Sequence, residues 1–183
     1  MEKVLVFLRL IRPANIVTSV ADVLAGIAIS GYFLGAGYEF LPVFLLCLST
    51  IGLYGGGIVF NDVFDAELDK MERPERAIPS GAVSIGEATV LGIILLGIGL
   101  AAAFAFSALS GMIAFLIIVF ALVYNKYGKH HSFLGPLNMG LCRGLNLLLG
   151  ISIISISLQS LYFLGLIPLI YIFSITMISQ NYE

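Results

Sequence analysis

The chain has 183 residues, 60% of them hydrophobic and only 11% charged, with a mean hydropathy of +1.06. A soluble domain averages about 45–50% apolar and about 25% charged residues, so this chain lacks the polar surface to cover a water-facing globule, and lipid has to cover it instead. The formal net charge of −2 and the scatter of its Lys and Arg residues exclude a nucleic-acid partner.

Residues 1–15 carry Lys3, Arg9 and Arg12 among apolar residues. No small-residue cleavage site follows a short apolar core, so the segment reads as an amphipathic approach to the first helix and not as a signal peptide. Spanning the hydrocarbon takes roughly 20 mainly apolar residues as a helix. Six segments meet that standard: 16–36, 40–60, 88–107, 110–124, 134–158 and 160–179. The fourth is short and the fifth is interrupted by Arg143. No Pro- or Ser-rich linker and no internal repeat divides them, which predicts one domain over 1–183. The expected fold class is all-α, a polytopic transmembrane bundle of six helices. Cys47 and Cys142 lie inside apolar stretches and read as packing residues, silent on redox compartment.

Basic residues set the orientation. Lys3, Arg9 and Arg12 precede the first span, Lys70, Arg73 and Arg76 follow the second, and Lys126 and Lys129 follow the fourth. The opposite connections, near 37–39, 108–109 and 158–160, contain no Lys or Arg. Only Arg143 falls elsewhere, so the positive-inside rule makes the N-terminus and the long 61–87 connection cytoplasmic. The chain is thus expected to be an integral, multi-pass protein of the plasma (inner) membrane, with its chemistry on the cytoplasmic face. Asp22 and Arg143 remain inside the membrane. They lie at similar depths from that face, which predicts that they pair directly or through water.

The second span ends in Asn61-Asp62-Val63-Phe64-Asp65-Ala66-Glu67-Leu68-Asp69. Asp62, Asp65 and Asp69 stand at i, i+3 and i+7, so on one helix they share a face, and Asp65 repels Asp69. A helix C-terminus disfavours anions as well. A bound cation would reverse both effects. Carboxylates with an amide suit a hard ion such as Mg²⁺, which typically uses one or two carboxylates plus substrate phosphates. Upstream, Gly55-Gly56-Gly57 should loosen or bend the helix. The triplet reads equally as room for a ligand tail and as close helix packing. Downstream, Arg73 and Arg76 stand close enough in sequence to complement a diphosphate. His130 and His131 read as loop residues, not metal ligands.

At these residues the chain resembles the UbiA superfamily of intramembrane prenyltransferases. The resemblance is carried by Asn61-Asp62-x-x-Asp65-x-x-x-Asp69, by the arginine-rich Pro-Ser-Gly loop from Arg73 to Gly81, by Arg12-Pro13-x-Asn15, and by Tyr124 followed by Lys126 and Lys129. Within the superfamily the EboC-type branch looks most similar. The resemblance implies a fold of nine helices in which two acidic segments hold Mg²⁺ and a prenyl diphosphate. The donor ionises to an allylic cation, which an unidentified acceptor captures. Carried over, Asn61, Asp62, Asp65 and Asp69 become metal ligands, with Asp65 and Asp69 catalytic. Arg73 acts on the diphosphate in catalysis, and Arg76 and Asn61 bind it. Tyr124, Lys126 and Lys129 help it leave, and Asn15 contributes to substrate binding. The second acidic segment is expected where the sixth span leaves the membrane, at Ser179 to Glu183, and that stretch contains no aspartate. The domain is therefore expected to be incomplete at its C-terminus or to lack the second site.

Two other readings stand beside this one. Membrane CDP-alcohol phosphotransferases also place aspartates at helix ends, but they require a glycine where this chain has Ala66 after Asp65. A non-catalytic membrane protein that binds or helps to move an isoprenoid or natural-product precursor remains the alternative.

Overall fold

The start of the bundle is decided by Ile11-Arg12-Pro13. Proline lacks an N–H and disfavours helical backbone in the residue before it, so a helix cannot run straight through Arg12. The computed structural model describes residues 2–35, 37–128 and 131–180. In it α1 (Glu2–Ile11) stops at this point, and α2 (Pro13–Ile29) sets off at an angle of 48° with the proline in its first turn. Arg12 adopts a left-handed backbone with φ 52°, which costs about 1–2 kcal/mol for a residue bearing a Cβ.

The remaining long elements are also helices: α3 (Phe40–Phe64), α4 (Ala66–Glu72), α5 (Ile85–Phe106), α6 (Ala108–Val123), α7 (Leu134–Ile151), α8 (Ser155–Leu161) and α9 (Leu166–Gln180). No strand occurs among the described residues. The all-α membrane architecture expected from composition is therefore the one that forms. The helices over Phe40–Phe64, Ile85–Phe106, Ala108–Gly128 and Ser155–Ser179 are each long and apolar enough to cross a membrane, and α1 with α2 qualifies as one bent span. The remaining expected span is α7, whose apolarity is lowered by Asn138, Arg143 and Asn146.

Span limits differ where local chemistry overrides hydropathy. The third span begins at Ile85, ahead of residue 88, because Ser84 and Glu87 form a capping box. The Glu87 backbone N–H donates to Ser84 Oγ at 3.1 Å, and the Ser84 N–H donates to Glu87 Oε2 at 2.9 Å. The fifth stops at Ile151, short of 158, where Ser152 Oγ turns back to donate to the Leu149 carbonyl at 2.6 Å. The first ends at Ile29, and Ser30 Oγ likewise donates to the Ile27 carbonyl at 2.7 Å.

Helices α2, α3, α5, α6 and α7 contact one another in a closed ring, and α9 packs outside it against α7. In lipid, helices gain little from hiding apolar surface, so close contact through small residues and interhelical hydrogen bonds drives association. Both are present. At the α3–α5 crossing a Cβ on Gly52 would lie 2.5 Å from the Leu95 carbonyl oxygen, and one on Gly99 would lie 2.7 Å from that of Ser49. The α2–α7 crossing is equally tight at Gly26 and Gly150. Asn146 ties three helices together: its Oδ1 accepts from Thr50 Oγ1 at 2.8 Å and its Nδ2 donates to the Ser19 carbonyl at 2.8 Å.

The glycine triplet in α3 does not break it. The helix runs unbroken to Phe64 because Gly56 is wedged against Leu96 of α5, while Gly57 faces a cavity. Packing and ligand room thus divide the triplet between them.

Gly52→Ala and Gly99→Ala should each destabilise the protein by roughly 1–3 kcal/mol through overpacking. Gly97, on the same helix as Gly99, has open space where a Cβ would sit, so Gly97→Ala should be neutral or mildly stabilising. Melting temperatures in detergent test this. Equal values for the three variants would contradict the close crossing.

Candidate functional site

Asp62 lies in the last turn of α3, where the helix dipole opposes a negative charge. Two arginines compensate it. Arg12 Nη2 lies 2.6 Å, and Arg76 Nη1 3.4 Å, from the same Asp62 Oδ1. Arg76 Nη1 also lies 2.7 Å from Asp69 Oδ2, so it bridges two aspartates that are only 6% and 4% exposed. The unusual backbone of Arg12 thus ends in a short ion pair.

The acidic run does not lie on one continuous helix. Helix α3 ends at Phe64, and Asp65 caps both that helix and α4. The Asp65 N–H donates to the Asn61 carbonyl at 3.0 Å and the Asp69 N–H to the Asp65 carbonyl at 2.8 Å, which keeps the chain coiling through the break. Glu67 and Asp69 consequently fall in the first turn of α4, where the dipole favours anions. The expected dipole penalty therefore bears on Asp62 and Asp65, not on Asp69. The compensating cations in the structure are Arg12 and Arg76.

Asn61 Nδ2 donates to Asn125 Oδ1 at 3.3 Å, leaving its carbonyl oxygen as an acceptor, and Asn125 Nδ2 donates to the Gly57 carbonyl at 2.8 Å. Among the described residues, no three His, Cys, Asp or Glu side chains converge as a self-sufficient metal cage requires. The available donors are aspartate carboxylates and one amide oxygen. They fit Mg²⁺ as partners of a diphosphate that supplies the other ligands.

Beneath these residues lies a cavity of about 440 Å³ between α2, α3, α6 and α7. Arg12, Asn15, Asn61, Tyr124 and Asn125 surround its mouth; Ile58, Ile117, Ala121, Met139 and Ile172 form its walls; Tyr54, Cys142 and Arg143 lie deeper. Tyr54 stands eight residues before Asp62 on the continuous α3, a depth of about 12 Å at 1.5 Å per residue. The pair expected from matched depths is present: Arg143 Nη1 lies 2.8 Å from Asp22 Oδ2, which also accepts from Asn146 Nδ2 at 3.5 Å.

Of the residues singled out from sequence, Asn15, Asn61 and Tyr124 line the cavity and Arg76 joins the acidic cluster with Asp62 and Asp69. Arg73 does not: it is exposed at the end of α4, outside the cavity lining. Lys126 is exposed, with its Nζ 5.1 Å from the Tyr127 ring centroid, and also lies outside the lining. Lys129 and His130 fall outside the described residues. His131 Nδ1 accepts from the N–H groups of Phe133 and Leu134 at the start of α7, a loop role. Sequence reasoning missed Arg12 as an ion-pair partner, and Thr18, Tyr54, Asn125 and Cys142 as cavity residues. The readable signal on α2 was the spacing of Asn15, Thr18 and Asp22, which places three polar residues along one helix face just beyond Arg12.

The fold is a ring of apolar helices around a cavity that is polar at its mouth and apolar along its walls. Residues 23–183 match the UbiA prenyltransferase family, and the chain belongs to that family. It is 33% identical over 174 residues to the digeranylgeranylglyceryl phosphate synthase of Sulfolobus acidocaldarius, covering 93% of this chain and 59% of the relative. With the synthase of the same name from Methanosarcina mazei it shares 38% identity over 121 residues, covering 66% and 39%. A structure described as giving structural and mechanistic insights into the biosynthesis of digeranylgeranylglyceryl phosphate synthase in membranes superposes with a TM-score of 0.84. That match has 28% identity and covers 94% of this chain and 61% of the other. A UbiA homologue from Archaeoglobus fulgidus bound to GPP and Mg²⁺ superposes with a TM-score of 0.69 at 20% identity, covering 87% and 59%, and shows the shared fold alone. The chain spans less than two thirds of the length of each of these proteins. The EboC-type branch gains no support from them.

Replacing either Asp22 by Asn or Arg143 by Gln strands a charge in the membrane interior, whereas replacing both does not. Each single variant should therefore melt lower in detergent than the double variant. The coupling should be on the order of 1–2 kcal/mol, below that of a fully buried pair because both side chains keep some exposure. Strictly additive losses would show that the two residues do not depend on each other.

Proposed function

We propose that the protein transfers a prenyl group from a prenyl diphosphate to an acceptor hydroxyl, with Mg²⁺ as cofactor and the cavity mouth on the cytoplasmic face. The observation that carries this reading is the chain of ion pairs through Asp62, Arg76 and Asp69 that joins Arg12, a residue at the mouth of an apolar-walled cavity, in a chain of the UbiA prenyltransferase family. The names of the relatives favour a glyceryl phosphate acceptor that already bears one geranylgeranyl chain.

In the proposed reaction the bond between the prenyl C1 and its diphosphate oxygen breaks and the electron pair leaves with the diphosphate. The acceptor oxygen then bonds to C1 and loses its proton. Bound Mg²⁺ would neutralise the charge gathering on the leaving diphosphate. The chain's own part is to hold that anion and keep water from the cation. Arg12 at the mouth, and Arg76 behind Asp62, offer guanidinium donors that can turn from the aspartates to diphosphate oxygens. Asp65 and Asp69, with Asn61 and Asp62, face the metal and diphosphate. Ile58, Ile117 and Ala121 exclude water where C1 would lie. Tyr124 stands at the mouth beside the departing group. Arg73, Lys126 and Lys129 belong to the proposal as further cations that would assist the departing diphosphate.

Asp65→Asn and Asp69→Asn should each lower Mg²⁺-dependent release of diphosphate from a prenyl diphosphate by about two orders of magnitude or more. Glu67→Gln removes an exposed carboxylate paired with Lys70 at 2.7 Å and should leave it unchanged. Full activity in both aspartate variants would sink the metal assignment. The orientation has a separate test. Ser80 is exposed in the loop between α4 and α5, so a Ser80→Cys protein should resist impermeant thiol reagents in intact cells and react after permeabilisation. Labelling in sealed cells would invert the topology.

A further inference from the structure

The deep end of the cavity is more polar than a prenyl chain requires. Arg143 is a lining residue while its partner Asp22 is not. Of the two, Arg143 is the member that borders the cavity, with its guanidinium beside another lining residue, Tyr54. Asp22 engages Arg143 through Nη1, and a guanidinium carries five N–H donors. Beside it, 5.8 Å from ring centroid to guanidinium carbon, lies Tyr54. Its hydroxyl is buried beside that guanidinium and makes no hydrogen bond of good geometry. A buried hydroxyl held so loosely recovers little of its lost hydration. A hydrocarbon tail would satisfy neither group.

We infer that this floor is a second phosphoryl site, in which Arg143 and Tyr54 receive the phosphate monoester of the acceptor while the donor's diphosphate occupies the mouth. The identity of the two substrates rests on the prenyl-transfer reading above. The geometry suits it. Tyr54 and Asp62 are separated by about 12 Å along α3, comparable to two phosphoryl groups joined through the transferred carbon and a glyceryl backbone. Between them the wall is mainly apolar, with Gly57, Ile58 and Ala121 on one side and Thr18 as its polar member. Asp22 acts as a positioning residue: with Asn146 behind it, it fixes the guanidinium for a planar phosphate contact that a lysine could not reproduce.

The test is direct binding to the purified protein in lipid nanodiscs, without Mg²⁺ or donor. The probes are geranylgeranylglyceryl phosphate and geranylgeranylglycerol, its counterpart without phosphate. Geranylgeranyl diphosphate with Mg²⁺ is measured separately. The phosphorylated acceptor should bind roughly tenfold or more tightly than the alcohol, as a charge-assisted contact predicts. Tyr54→Phe removes a hydroxyl that makes no hydrogen bond of good geometry, so it should fold, and it should lose several-fold of that preference. Arg143→Lys keeps the charge for Asp22 and should lose most of it. Both variants should bind the donor as the unaltered protein does. Equal affinity for the two acceptors, or variants that weaken the donor and spare the acceptor preference, would overturn the proposal; the latter would assign the floor to the donor's diphosphate. A preference that persists in a protein that neither binds nor cleaves the donor would uphold the floor site and refute prenyl transfer. Turnover without the preference would do the reverse.

Discussion

A charge carried into a membrane helix has no water to fall back on, and this bundle is organised by where its charges find partners. Arg12, at the start of α2, reaches Asp62 at the end of α3, and Arg76 joins Asp62 to Asp69 across the turn into α4. One end of the bundle is thereby closed by a chain of alternating charge. Ten residues further along α2, Asp22 meets Arg143 of α7. The same helix therefore ties to α3 at one level and to α7 at another, and the cavity is the space left between those two ties. Surface ion pairs contribute little to stability. Here the choice is between pairing and an unpartnered charge in hydrocarbon, so pairing governs how the helices can sit.

That logic also separates what the sequence disclosed from what it withheld. Helix positions followed from hydropathy because lipid imposes length and apolarity one segment at a time. The Asp22–Arg143 pair was legible for a related reason: depth in a membrane can be counted along each helix. The choice between Arg73 and Arg76 was not. It depends on the turn after α4, where the Arg73 N–H closes on the Asp69 carbonyl and the Arg76 N–H on that of Arg73. This tight coil brings residue 76, not residue 73, back over the aspartates. Charge and spacing were the same for both candidates, and only the path of the backbone distinguishes them. The split of the acidic run between α3 and α4 was hidden likewise, since the hydrogen bonds through Asp65 preserve a helical spacing across the break.

The residues of the cavity were partly visible but were weighed singly. Asn138, Cys142 and Asn146 repeat every four residues along α7, as Asn15, Thr18 and Asp22 do at three or four along α2. Each looks like an interruption in an apolar span. Two such stripes on different helices, turned toward each other, make an interior polar seam. The seam could not be read from one chain because the relative rotation of two helices is not a property of either helix alone. Asn125 was passed over for a simpler reason. It follows Tyr124, which drew attention, yet it is the more buried of the two and holds the end of α6 to Gly57 of α3.

The close helix crossings complete the physical argument. Gly26 lies one turn beyond Asp22 on α2, and Gly150 lies one turn beyond Asn146 on α7. Their backbones touch without side chains between them. That contact brings the axes near enough for Asp22 to meet Arg143 and for Asn146 to reach the Ser19 carbonyl. On the other side, Gly52 and Gly99 draw α5 tightly onto α3. This leaves no space between those two helices, and the open volume lies on the other face of α3, toward α2, α6 and α7. Small residues on one set of faces thus decide where the cavity opens, and charges on the other set decide what it can hold. A larger residue at the α2–α7 crossing would act on the chemistry through distance alone, by moving α7 away from α2 and stranding Arg143 in the membrane interior.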